Sequence, residues 1–213
     1  LQPGPDNVGV LCSGLSRAVS LRTLSLAVNE DLGCSEDGAG SLAAVLPSCP
    51  SLTSLNLSRT GISPVGARAL SSALPHCNIR SLSFSECGIG DVGAKALGLA
   101  IPLSSVTSLD VTDCSLSSSS GLARCLDSPN LRTLVAADNR DTDWEPLFDR
   151  LATATGLTSL SLAECSVGLP SCVSLLMGAL VANTSLRTLD LEAACLGDRG
   201  PEVASMLAHQ SSI

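Results

Sequence analysis

The chain has 213 residues, 45% of them hydrophobic, and a formal net charge of −8. That is enough apolar material for a sizeable core, which excludes a disordered tail. So acidic a surface, with Lys95 as its one lysine, matches the phosphate backbone of nucleic acid poorly. Aromatics make up 1%, with two Phe, one Trp and no Tyr, so the core must be built from Leu, Val, Ile and Ala at regularly repeated sites. The longest apolar run, around 175–182, is interrupted by Gly178 and is too short to span a bilayer, and the opening residues lack a basic-then-apolar leader pattern.

In chain order, a helical pattern over 8–18 comes first and reads as the end of a repeat of which 1–20 is only part. A segment of the form leucine, two residues, leucine, one residue, apolar then recurs seven times, beginning at Leu21, Leu52, Ile79, Val106, Leu131, Leu157 and Leu186. The spacings are 31, 27, 27, 25, 26 and 29, and the longest predicts a local insertion around 33–40. Written out, the segments are SLRTLSL, SLTSLNL, NIRSLSF, SVTSLDV, NLRTLVA, GLTSLSL and SLRTLDL. Their alternation predicts a short strand with one buried face, and the residues that follow change to helical spacing. Val65, Ala69, Leu70, Ala73 and Leu74 form one such stripe, and Val92, Ala96, Leu97 and Ile101 another. Gly61, Gly66, Gly88, Gly93, Gly197 and Gly200 are expected in the strand-to-helix loops, where positive φ or close approach favours glycine.

A strand and a helix per unit, each unable to bury its apolar face alone, predict an α/β solenoid over 1–213: a horseshoe with parallel strands on its concave face and helices on its convex face. The period is close to the roughly 20 to 29 residues of leucine-rich repeats. SLNLSRTGISPVGARALSSAL and SLSFSECGIGDVGAKALGLAI resemble the ribonuclease-inhibitor-like subfamily of that family, over nearly the whole chain. The resemblance implies a buried turn after each strand, in which Asn or Cys satisfies backbone groups of the neighbouring repeat. That position reads Asn29, Thr60, Cys87, Cys114, Asn139, Cys165 and Ala194. Both ends read as cut from a longer protein.

The residue just before this turn reads Val28, Arg59, Glu86, Asp113, Asp138, Glu164 and Ala193. Four successive repeats carry an acid there, about 5 Å apart, and Asp110, Asp190 and Glu192 add charge nearby. Mutual repulsion in such a row would be relieved by a basic partner. The residue after each first leucine alternates as Arg22, Thr53, Arg80, Thr107, Arg132, Thr158 and Arg187, which spaces arginines roughly 10 Å apart along one rim. The inner face is otherwise small and polar, with Ser25, Asn56, Ser58, Ser81, Ser83, Ser85, Ser108, Thr112, Ser159 and Ser161. It lacks the aromatic anchors of tight interfaces, so inhibition of a ribonuclease is not expected. Trp144, in RDTDWEPLF, packs over a loop or serves as a lone hot spot, with Thr142 and Glu145 spaced as a capping box.

The ten cysteines include no CxxC pair and no histidine at zinc-ligand spacing, so neither metal nor cofactor is expected. Cys87 and Cys114 fall within disulfide range if oxidised, at the cost of their turn contacts, which predicts a reducing, cytoplasmic setting. The sequons at Asn56 and Asn183 read as accidental. His76 and His209, the only histidines, lack a matching nucleophile, and no phosphate-binding glycine loop appears. A non-catalytic protein-binding scaffold is therefore expected, with candidate contacts at Arg59, Glu86, Asp110, Asp113, Asp138, Glu164, Asp190, Glu192 and Trp144, and with no membrane or nucleic-acid partner. The resemblance also implies two alternatives: a GTPase-activating regulator like the Ran activator, with Arg59 as its basic edge residue, or the sensing arm of an intracellular immune receptor.

Overall fold

The computed structural model describes residues 5–30, 32 and 36–208. Seven three-residue strands, β1 (Thr23–Ser25), β2 (Ser54–Asn56), β3 (Ser81–Ser83), β4 (Ser108–Asp110), β5 (Thr133–Val135), β6 (Ser159–Ser161) and β7 (Thr188–Asp190), form one parallel sheet in sequence order. Their register is uniform, so Leu24, Leu55, Leu82, Leu109, Leu134, Leu160 and Leu189 stand in a single row. These central leucines face the helices, while the Ser, Thr, Asn and Asp residues on either side face the open concave surface. This is the horseshoe expected of the repeat, with its sheet left open at both edges.

The helices α1 (Pro5–Leu15), α2 (Glu36–Val45), α3 (Pro64–Ala73), α4 (Gly90–Ala100), α5 (Ser120–Cys125), α6 (Glu145–Leu151), α7 (Pro170–Ala182) and α8 (Gly200–Ala208) cover the other side. The shortest helices fall in the shortest repeats: the two shortest spacings, 25 and 26, enclose α5 and α6, of six and seven residues. Three helices end in the same way, in 3₁₀ turns at Leu46–Ser48, Leu74–His76 and Ile101–Leu103. Each opens with a buried aliphatic residue followed by proline, whose missing N–H cannot continue the α-helical ladder. At the other end of α3, Ser63 Oγ accepts from the Gly66 N–H at 3.2 Å, and Pro64 occupies the first turn. No helix among the described residues is long and apolar enough to cross a membrane.

Several local expectations need correction. The first helix begins and ends three residues earlier than 8–18, and the first part of the predicted insertion, residues 33–35, lies outside the described residues. The buried stripes are carried by Ala67, Leu70 and Leu74, and by Ala94, Leu97 and Ile101, while Val65 and Val92 are exposed. The helices thus turn a flank of small residues inward, which brings them close to one another. Gly61 and Gly197 do adopt positive φ, 66° and 54°, but Gly66 and Gly93 sit inside the first turns of α3 and α4, where they serve close approach instead. Gly88 and Gly200 meet neither need. One tight approach between helices escaped the sequence reading: a Cβ on Gly121 of α5 would collide with the Ala94 backbone of α4.

The buried turn after each strand forms as expected. Cys87 Sγ donates to the Leu57 carbonyl at 3.1 Å, Cys114 Sγ to Phe84 at 3.2 Å and Cys165 Sγ to Ala136 at 3.3 Å, each in the preceding repeat. Asn139 does more. Its amide donates to the carbonyls of Val111, Ala136 and Ala137 while its Oδ1 accepts from the Cys114 and Leu116 N–H groups. Burial pushes the thiols up, Cys125 to about 12 and Cys165 and Cys172 to about 11, and it raises Cys114 as well.

Two outcomes follow from this packing. Gly121→Ala should destabilise the protein by about 1–3 kcal/mol in urea unfolding, because the obstructing atoms are backbone. Gly178→Ala, in α7 with nothing within 4 Å of the new methyl, should stabilise by roughly 0.5–1 kcal/mol. The thiols set an alkaline limit. Below their ordinary value of 9.0 they are neutral in both states, and above it the unfolded chain loses protons that the folded chain keeps. The urea midpoint should therefore fall between pH 8 and pH 10, and fall less in Cys125→Ala. Equal midpoints would contradict this linkage.

Candidate functional site

The row of strand-end residues has an unusual backbone. Val28, Arg59, Glu86, Asp113, Asp138, Glu164 and Ala193 all adopt left-handed conformations, with φ between 47° and 62°. In each of the first six, the N–H donates across to the next repeat, as from Glu86 to the Thr112 carbonyl at 2.8 Å and from Asp113 to Ala137 at 2.9 Å. The left-handed residue turns the chain out of the sheet while this bond keeps it in register, and it displays its side chain at the rim. Asp tolerates such φ values better than most residues, which helps to explain Asp113 and Asp138. Val, Glu, Arg and Ala carry no such advantage.

The rim also contains its own counter-charges. Arg59 lies 3.3 Å from Glu86 and 4.0 Å from Glu30. Arg140 reaches Asp138 and Glu164 at 2.7 Å each, and its hydrogen bond and charge interaction with Asp138, then its attraction to Glu164, raise its pKa. The row thus reads as two clamped pairs of carboxylates' ends with Asp113 between them, exposed and making no ion pair among the described residues. Arg140 was missed in the sequence, although its place two residues beyond the strand-end acid was readable in Asp138-Asn139-Arg140.

Below this rim a chain of polar contacts crosses β2, β3 and β4. Ser58 Oγ donates to Asn56 Oδ1 at 2.6 Å and lies 2.9 Å from Ser83 Oγ, Ser83 donates to Asp110 at 3.0 Å, and Thr112 Oγ1 donates to Asp110 at 2.7 Å. Val135 interrupts the chain at β5. It resumes where Ser161 donates to Asp190 at 2.8 Å and the Glu192 N–H donates to the same carboxylate at 3.0 Å. The acids of the inner face therefore fall into two groups, Asp110 at β4 and Asp190 with Glu192 at β7, with Val135 between them.

Trp144 does not belong to this surface. It is 1% exposed and lies in the hydrophobic core, so its ring offers no contact to a partner, and its indole N–H has no hydrogen-bond partner among the described residues. The capping box is not formed either. Thr142 Oγ1 donates to the Leu116 carbonyl of the preceding repeat at 2.8 Å, and Asp143 Oδ1 accepts from the Glu145 N–H instead. Packing between repeats took the hydroxyl that a free helix would have used. Asn183 is buried, and its amide donates to the Leu151 and Ala154 carbonyls, which leaves no room for a glycan. His76 is exposed at the end of its 3₁₀ turn, and His209 lies outside the described residues. Among the described residues no cluster of His, Cys, Asp or Glu could hold a metal ion.

The opposite rim gives the arginine and threonine alternation a physical basis. Thr53, Thr107 and Thr158 each donate Oγ1 to the carbonyl of the preceding arginine, at 3.1 to 3.2 Å.

The family model for the leucine-rich repeat matches residues 48–71, 76–98 and 182–201, which contain β2, β3 and β7. These segments are leucine-rich repeats, and the strand-helix units between them repeat the same architecture. Among curated proteins none matches by sequence. Of solved structures, this leucine-rich repeat chain is similar to the tropomodulin C-terminal domain of Caenorhabditis elegans, at 16% identity and TM-score 0.48, over 83% of this chain and 93% of that one. It is also similar to an internalin of Listeria monocytogenes, at 18% identity and TM-score 0.49, over 89% of this chain and 55% of that one. The leucine-rich repeat protein LegL7 of Legionella pneumophila matches at 21% identity and TM-score 0.48, over 88% of this chain and 70% of that one. At such scores none of them bears on what this repeat protein does.

The left-handed row makes one prediction about stability. Val28→Gly and Ala193→Gly should each stabilise the repeat protein by roughly 1 kcal/mol, since glycine adopts positive φ without the Cβ clash. A lower urea midpoint in both would show that the turn geometry has been misassigned.

Proposed function

We propose that this leucine-rich repeat chain is a non-catalytic scaffold that receives a basic segment of a protein partner on its inner face and strand-end rim. A stack of repeats offers a continuous curved surface suited to such contacts. The observation that carries the reading is Asp113, exposed and free of an ion pair among the described residues, beside Asp110 and between the carboxylates clamped by Arg59 and Arg140. Exposed ion pairs of this kind are worth about 1 kcal/mol or less, so an arginine or lysine from a partner can compete for Glu86 and Asp138 at small cost. Asp190 and Glu192 supply a second acidic contact at the far end of the sheet. The small, polar inner face favours a wet interface over one anchored by aromatics.

The buried thiols support a reducing, cytoplasmic setting, because each ladder cysteine spends its S–H on a carbonyl and oxidation would cancel that bond. A GTPase-activating role is not favoured. Arg59, its one candidate for meeting a transferring phosphate, is held between Glu30 and Glu86.

An arginine-rich peptide titrated into the protein should bind with an affinity that falls as salt rises. Asp110→Asn combined with Asp113→Asn should weaken it by about tenfold or more, a loss of roughly 1.4 kcal/mol. Unchanged binding in that double variant would remove the acidic rim from the interface, and acceleration of GTP hydrolysis by a small GTPase would replace the scaffold reading with the activator one.

A further inference from the structure

The arginine rim is not uniform. Arg132 Nη1 donates to the carbonyls of Pro129, Leu131 and Gly156, and Arg187 Nη1 to those of Thr184 and Leu186, so both guanidiniums lie folded against backbone. Arg22 and Arg80 occupy equivalent positions, yet neither makes a side-chain hydrogen bond or an ion pair among the described residues. Both instead line a cleft of about 300 Å³ at the start of the first three strands, together with Ser51, Thr53, Asn78 and Ser105. No acidic side chain lines it, in a chain of net charge −8.

The strand register explains how the two cations come to share one cleft. Thr23, Ser54 and Ser81 pair in sequence, so Arg22, Thr53 and Arg80 stand on adjacent strands, with the arginines two strand spacings apart, roughly 10 Å. Two long side chains can converge across that distance above Thr53. The threonine does not fill the gap, because its hydroxyl donates to the Arg22 carbonyl at 3.2 Å. Asn78 is fixed in the wall by its amide, which donates to the Pro50 carbonyl at 2.8 Å.

We propose that the cleft between Arg22 and Arg80 is an oxyanion site that takes a phosphate monoester. Two guanidiniums match the double negative charge and the several acceptor oxygens of such a group, and Ser51 and Ser105 add hydroxyl donors at its edge. The size of the cleft suits a single compact phosphate, and the net charge of −8 disfavours a long nucleic-acid strand. The site lies on the opposite rim from the acidic row and does not depend on it.

Calorimetric titration of the whole chain at constant ionic strength tests this with three probes: inorganic phosphate, a short phosphoserine peptide and the same peptide unphosphorylated. Saturable binding of the phosphorylated probes alone is expected. Arg22→Gln and Arg80→Gln should each weaken it about tenfold or more, whereas Arg132→Gln, whose guanidinium is already committed to carbonyls, should not. Tighter binding of the peptide than of inorganic phosphate would assign the group to a protein partner, and equal binding to a free phosphorylated small molecule. The proposal is overturned if no phosphate probe saturates, or if the Arg22 and Arg80 variants, with unchanged circular dichroism, bind as the original chain does.

Discussion

Everything in this solenoid hangs on how the chain leaves each strand. A residue with φ near +50° turns it out of the sheet, and its N–H is held by a carbonyl of the following repeat. One position later, Asn, Cys or Thr fills the turn and ties down carbonyls that the sheet has left over. A buried backbone group without such a partner would cost about as much as a lost hydrogen bond, so each repeat depends on its neighbour to be complete. That dependence keeps the strands in one register and stacks the helices closely enough that Gly121 cannot accept a methyl group.

The same turn determines what the molecule displays. A side chain at a left-handed strand end cannot enter the core, so whatever stands there lines the rim at each repeat. Where four acids occupy the position, their repulsion is moderated by Arg59 and Arg140, which leaves Asp113 as the least compensated charge. On the other rim, threonine hydroxyls bond arginine carbonyls and leave the guanidiniums to local circumstance. Arg132 and Arg187 lie against backbone, while Arg22 and Arg80 face a shared cleft. One repeat pattern thus yields two rims of opposite character on a single narrow sheet.

Much of this was readable in the sequence because the repeat is enforced by burial. The leucine rows, the strand starts and the Cys and Asn turn positions all follow from which residues must avoid water and which must satisfy a buried carbonyl. The helices were harder. Val65 and Val92 looked like core by hydrophobicity, yet the convex layer prefers Ala67, Ala94 and Gly121 inward, because small residues let helices from adjacent repeats approach. Trp144 misled in the opposite direction. A lone aromatic suggested an exposed anchor, but the fifth repeat, with its short helix, uses the ring to fill its own core.

The sequence by itself determined the period, the order of the strands, the polarity of the inner face and the column of strand-end acids, since each depends on residue type at a fixed spacing. Only the tertiary structure decided how those charges are shared. Whether an arginine meets a carboxylate, a carbonyl or an open cleft depends on groups roughly one repeat away in sequence but only about 5 Å away in space, across the sheet. The contacts of Arg140 with Asp138 and Glu164, and the cleft shared by Arg22 and Arg80, arise between repeats, and no pattern within a single repeat contains them.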